Sequence, residues 1–145
     1  MDNDGSREVL ASGSRAMMER DRASRALGMT VITDEPGFAV VTMTVRDDML
    51  NGYDIAHGGL IFALADTAFA IACNDAENVT VASGAEITFL KPTSLGQVLT
   101  ATALVKTRQG RSGIYDVRIS NEKNETVAEF RGHSRRTNLP VPSPR

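Results

Sequence analysis

Between His57 and Asn74 the chain reads HGGLIFALADTAFAIACN, and this segment constrains the fold more than any other. Ala, Leu, Phe and Ile follow one another without alternation over roughly five helical turns, so the spacing predicts a helix that is apolar on nearly every side. The apolar stretch from Leu60 to Cys73 is interrupted by Asp66 and Thr67, and it is shorter than the roughly 18 to 20 residues that a bilayer crossing needs. No transmembrane segment is expected, so the rest of the 145-residue chain must cover this helix.

The remaining sequence offers strands for that purpose. MTVIT and FAVVTMTV, between Met29 and Val45, flank Asp34-Glu35-Pro36-Gly37, whose Pro-Gly pair has the turn chemistry of a hairpin. After the helix come four β-like runs, Val79 to Leu90, Gln97 to Thr107, Ser112 to Ser120 and Thr126 to Thr137, separated by turn residues. Tyr115, Val117 and Ile119 alternate with Asp116, Arg118 and Ser120, the pattern of an antiparallel strand with one dry face and one wet face. Ser14 to Leu27 reads as a surface helix. Residues 1–12 are polar and irregular, with no apolar core of a secretory signal, and the proline-rich 138–145 reads as an extended tail outside the sheet. The expectation is one domain over residues 13–137. An antiparallel sheet of five or six strands with a single all-apolar helix buries that helix by curling around it, which is the α+β hotdog fold.

Charge and cysteine usage narrow the function. The 16 Lys+Arg against 18 Asp+Glu leave a formal charge of -2, so there is no global basic field to hold nucleic acid by its phosphates. Cys73 is the only cysteine, and with His57 and His133 as the only histidines no zinc-binding spacing occurs. A reducing cytoplasm is the expected setting. No GxSxG nucleophile elbow is present, and Cys73 has no evident base.

Asp66 is the most informative residue. An ionised carboxylate inside an apolar helix costs several kcal/mol unless something pairs with it or uses it. No Lys or Arg lies between Asp48 and Lys91 to pair with it locally. It either reaches a solvated seam or a backbone amide, or it does chemistry. His57-Gly58-Gly59 opens the helix, where unpaired N–H groups favour a developing negative charge and glycine lets a substrate approach the backbone. That pair reads either as an oxyanion hole or as a flexible turn, and His57 either as a catalytic group or as a local hydrogen bonder.

The stretch HGGLIFALADTAFAIACN, preceded by MLNGYDIA and followed by EITFLKPTSLG, resembles the PaaI-type acyl-CoA thioesterases of phenylacetate degradation, within the hotdog superfamily. GFAVVTMTV, LTATALV, GIYDVRISN and FRGHS extend the resemblance from about Ala16 to Arg136. It implies that Asp66 is the reacting carboxylate, that the Gly58 amide forms the oxyanion hole, and that Asn51 and His57 position the thioester carbonyl or the attacking water. Thr67 would orient Asp66. Ser83, sharing parity with Val81, Ala85 and Ile87, would lie on the dry face towards the helix and bond the water or the carboxylate; close helix packing is the equal alternative. Gly59, Lys91, Pro92, Gly110, Arg111 and His133 are the positions expected to meet coenzyme A, with Arg108, Arg135 and Arg136 adding charge nearby.

The substrate so implied is an aryl-acetyl-CoA, phenylacetyl or hydroxyphenylacetyl, with Met49, Tyr53, Phe62 and Phe69 as candidate lining for an aromatic pocket. Coenzyme A belongs to the substrate, and neither a separate cofactor nor a metal is implied. The alternatives are a medium-chain acyl-CoA thioesterase, a hotdog module that binds acyl-CoA without cleaving it, and a hydratase, for which no Asp-His pairing near the helix start is seen. Gly58 and Asp66 are eight positions apart, about 12 Å along one helix axis. One carbonyl cannot meet both, so a homodimer with active sites composed from two chains is expected, assembled further to a homotetramer.

Overall fold

The computed structural model describes residues 14–74 and 78–142. Residues 14–20 are helical (α1), followed by α2 (Arg22–Ala26), β1 (Thr30–Glu35), β2 (Phe38–Thr44), α3 (Gly58–Cys73), β3 (Asn78–Phe89), β4 (Val98–Gln109), β5 (Ser112–Ser120) and β6 (Thr126–Pro140). The six strands form one antiparallel sheet in the order β1-β2-β4-β5-β6-β3. Helix α3 packs on β2, β4 and β5 and touches β1, β3 and β6, so the sheet wraps it as the apolar run requires. This is the hotdog fold, and α3 is the predicted helix with His57 as its N-cap.

The core is the concave face of the sheet against α3. Phe69 meets Tyr115 and Phe130 at ring separations of 5.6 and 5.9 Å, and Phe62 meets Phe130 edge-on at 5.2 Å. Gly132 of β6 makes this possible: a Cβ there would lie 2.7 Å from the Phe69 ring. The Pro36-Gly37 turn is as expected, with Gly37 at φ +74°.

Three local readings differ from the sequence expectation. The helix foreseen over Ser14 to Leu27 is interrupted at Asp21, which caps α2 by accepting the Ser24 N–H at 2.9 Å. Strand β6 continues to Pro140, opposite Asn78, so residues 138–140 belong to the sheet; the rest of the expected tail to 142 lies past it, and 143–145 fall outside the described residues, as do 1–12. The extension is tolerated because β5 starts at Ser112, opposite Arg135. Beyond that point only β3 flanks β6, where a residue lacking an N–H costs little. The parity assigned to Ser83 also fails. The β3–β6 register shifts between Ala82 and Gly84, leaving Ser83 as the bulged residue. Its hydroxyl donates to the His133 carbonyl at 3.1 Å and it is exposed rather than turned to the helix.

Candidate active site

The chain enters α3 through a pinned segment. Asn51 Oδ1 accepts the Tyr53 and Ile55 N–H groups at 2.8 and 3.4 Å, closing a tight turn that carries Asp54 at φ 59°. The Ala56 N–H donates to the Thr93 carbonyl and the His57 N–H to that of Met49, both at 2.8 Å. Asn51 is thus a turn builder through its side-chain oxygen, and the loop it shapes sets where His57 and Gly58 stand.

At the helix start four N–H groups lack intrahelical partners by geometry. The His57 carbonyl takes those of Leu60 and Ile61 at 3.0 and 3.3 Å, and His57 Nδ1 accepts that of Gly59 at 3.2 Å. With Nδ1 accepting, the neutral ring carries its proton on Nε2, on an exposed side chain. The Gly58 N–H is the one first-turn donor with no acceptor among the described residues. Of the two glycines expected near substrate, Gly58 therefore has a free amide and Gly59 has its amide occupied.

Asp66 lies mid-helix and is half-buried. Burial raises its carboxyl above the ordinary carboxylate range, and the negative charge of Asp21 adds to the rise. Among the described residues no cation offsets either effect. Thr67 does not bond Asp66: its hydroxyl donates to the Ala63 carbonyl at 2.8 Å and meets the Ser24 hydroxyl at 3.0 Å in a buried contact. Within one chain Gly58 and Asp66 stay about 12 Å apart along the axis, as the arithmetic requires. Of the candidate aromatic lining, Met49 and Phe69 are core residues, each 1% exposed, whereas Tyr53 is 87% exposed.

The basic residues divide between two ends of the sheet. Arg108, Gly110, Arg111 and Arg136 border one small pocket at the β4–β5 turn, with Cys73 and Ser134 beside them. Arg111 and Arg136 are exposed, and their side chains make no ion pair among the described residues. Lys91, followed by the exposed Pro92, lies past the far end of β5, roughly 30 Å away by strand length, and pairs with Glu125 at 2.9 Å. His133 faces Glu86 at 3.0 Å, and Arg131 forks onto Asp116 at 2.7 and 3.0 Å. Lys91 and Arg111 of one chain are therefore not parts of one phosphate patch.

Two features of the site escape sequence reasoning. Asp21 and Ser24, 45 and 43 positions before Asp66 and Thr67 respectively, are brought to α3 only by tertiary packing. Phe89 lies directly against Gly58. No group of three or more His, Cys, Asp or Glu suited to a metal ion occurs among the described residues. No described helix is long and apolar enough to cross a membrane.

Residues 53–128 match the family model of the thioesterase superfamily. The chain is 50% identical over 123 residues to the acyl-coenzyme A thioesterase PaaI of Escherichia coli K12, covering 85% of this chain and 88% of that one. Its fold superposes on the solved E. coli PaaI, from the phenylacetic acid degradation operon, with a TM-score of 0.87 and 46% identity, over 92% of this chain and 99% of that chain. A Streptococcus mutans UA159 protein solved with acetyl-CoA matches at a TM-score of 0.73 and 27% identity, over 77% of this chain and 90% of the other. The family match and the identity to PaaI, together with this sheet and helix, show that the chain belongs to the PaaI branch of the hotdog thioesterase superfamily, the hydrolases of acyl-CoA thioesters.

Proposed function

We propose that this enzyme hydrolyses an aryl-acetyl-CoA, phenylacetyl or hydroxyphenylacetyl, at a site where Asp66 of one chain and Gly58 of another meet the same thioester carbonyl. The observation that carries this reading is Asp66 itself: a half-buried carboxylate with no cation and no hydrogen bond among the described residues, on a helix whose only other polar side chain is Thr67. A side chain that destabilises the fold when ionised marks a candidate for the reacting group. A pure acyl-CoA binder would gain from an apolar residue there.

The chemistry follows from the groups present. The Gly58 amide and the positive end of α3 stabilise the oxyanion as the carbonyl carbon becomes tetrahedral. Asp66 either attacks that carbon, giving an anhydride that water then opens, or removes a proton from the attacking water. Both routes expel coenzyme A as its thiol and leave the free acid. His57, with its Nε2 proton outward, donates to the carbonyl or the water; Asn51 holds the loop beneath it, and Thr67 fixes the helix turn that carries Asp66. Ser83, at the exposed bulge of β3, would join the site only from across a subunit boundary.

The second chain is supported by β3. This strand is one of the two edges of the sheet and is exposed on both faces, with Val81 and Phe89 at 44% and 51% exposure. An unpaired apolar edge favours association with another copy. The proposed unit is a homodimer, assembled to a homotetramer and working in the cytoplasm. Arg111 and Gly110, with Arg136 and with His133 two register positions from Arg135 along β6, are the proposed contacts for coenzyme A phosphates; Lys91, Pro92 and Gly59 would contribute from the opposite end of a neighbouring subunit. The reading is tested by free-thiol release from phenylacetyl-, hydroxyphenylacetyl- and medium-chain acyl-CoAs. Turnover fastest on the aryl-acetyl thioesters supports it; preference for the medium-chain substrates replaces the proposed acyl group, and binding without thiol release returns the protein to a carrier.

A further inference from the structure

Helix α2 is five residues long, and the single side chain it buries is Ser24, at 3% exposure. A short helix normally docks by an apolar residue, because a buried hydroxyl must find partners or lose free energy. Ser24 finds them on both sides. Its hydroxyl donates to Asp21 Oδ2 at 2.7 Å and meets the Thr67 hydroxyl at 3.0 Å. Ser24 gives its one proton to Asp21 and Thr67 gives its one proton to the Ala63 carbonyl, so the Ser24–Thr67 approach is a close contact of two hydroxyls that at most shares the Thr67 proton. The second oxygen of Asp21 accepts the Ser24 N–H at 2.9 Å. The carboxylate is therefore tied, through one buried hydroxyl pair, to the residue that follows Asp66 on α3.

No cation forms an ion pair with Asp21 among the described residues. Arg25 donates to the Glu19 carbonyl at 2.8 Å, and Arg46 is engaged by the Ala26 carbonyl and by Asp48. Arg20 and Arg22 are exposed, as is Glu19. On β3 the nearest carboxylate by sequence, Glu86, is turned to His133.

We infer that Asp21 is a positioning residue for Asp66, delivered by the Ser24–Thr67 contact so that its negative charge sets the reactivity of the Asp66 carboxylate. The inference rests on Asp66 being the reacting group. A like charge disfavours the ionised form of its neighbour, which makes the neighbour a stronger base or nucleophile when it is ionised. The same charge is the second cause, after burial, of the upward displacement of Asp66. Residues 14–27 thereby become part of the catalytic apparatus rather than an appendage to the sheet.

The experiment compares the parent with Asp21→Asn and Asp21→Ser, both of which keep an N-cap acceptor for α2 but carry no charge. The Asp66 carboxyl is titrated directly by carbon NMR in the substrate-free protein, and thiol release is followed against pH. The inference predicts that the Asp66 midpoint and the acid limb of kcat/KM both move to lower pH in the two variants, with a several-fold drop in the plateau rate. Ser24→Ala, which keeps the charge and frees its tether, should broaden or partly shift the same titration. An Asp66 titration unmoved in a folded Asp21→Asn or Asp21→Ser protein overturns the inference and leaves Asp21 as a helix cap. The outcome is separable from the proposed function: if Asp66→Asn still releases thiol at the parent rate, the site assignment fails, whereas the NMR titration reads the Asp21–Asp66 coupling whatever the turnover.

Discussion

The ring of Phe89 lies against the α-carbon of Gly58: a Cβ built on that glycine would come within 3.0 Å of Cζ and 3.4 Å of Cε1. The residue with the free helix-start amide is thus roofed by an aromatic side chain from the end of β3. The ring is half-exposed and can yield by tenths of an ångström, so Gly58→Ala should fold with a melting temperature close to the parent's. Its thiol release should fall about ten-fold or more, the scale of disturbing an oxyanion donor. Contacting residues do not act independently, so Gly58→Ala combined with Phe89→Ala should depart from additivity in rate. Additive losses would mean that ring and amide serve separate steps.

Asp66→Asn should keep the fold and reduce thiol release on the order of 10²-fold or more, since the amide is neither basic nor nucleophilic. Stability should move the other way. The folded-state carboxyl titrates above its ordinary value. The protonated form is therefore the one the fold prefers, and stability is lost as pH rises through the folded-state midpoint. The variant should melt above the parent at neutral pH, and the two curves should converge once the pH falls below the normal carboxylate range. Melting curves that stay parallel from acid to neutral pH would remove burial as the cause.

Much of this was readable from sequence, for identifiable reasons. Helix α3 is apolar over consecutive turns, which no surface helix or half-buried strand can be, and β5 alternates because one face of it meets that helix. Both are local patterns. Ser83 was misplaced because a bulge is a property of two strands, set where β3 meets β6, some 50 positions on. Ser24 was invisible for a similar reason: its partner Thr67 is 43 residues away, and a serine among charged residues reads as surface. Asp66 could be recognised without any of this, because a charge within an apolar run is anomalous by itself.

The basic residues make a sharper prediction than their number implies. Lys91 is held by Glu125, whose carboxyl is lowered by that pairing and by the Asn121 bond, while Arg111 and Arg136 at the other end are unpaired among the described residues. Phosphate contacts act equally on ground and transition states, so Arg111→Ala and Arg136→Ala should each raise KM several-fold with kcat nearly unchanged. The effect should shrink at high salt. Lys91→Ala measured in the same way reports whether the opposite end of a neighbouring subunit also holds phosphate. A KM untouched by either arginine variant at low ionic strength would assign the β4–β5 turn to solvent.

The composite site is open to a direct genetic test. Gly58 of one chain and Asp66 of the same chain are separated by about 12 Å of helix, yet both must lie roughly 3 Å from one carbonyl if both act. Two copies related by a two-fold axis, with their α3 helices antiparallel, would bring each Gly58 to the partner's Asp66 twice per dimer. Gly58→Val should inactivate its site, because its branched side chain cannot share the space beneath the Phe89 ring. Co-expression of an Asp66→Asn chain with a Gly58→Val chain then yields mixed dimers in which one composite site carries both defects and the other carries neither. Purified through two different tags, these dimers should regain about half of the parental thiol release per dimer, with each homodimer near zero. Recovery at that level requires that the amide and the carboxylate come from different chains. Mixed dimers as inactive as the homodimers would confine each site to a single chain, and a second oxyanion donor would then have to be sought within reach of Asp66.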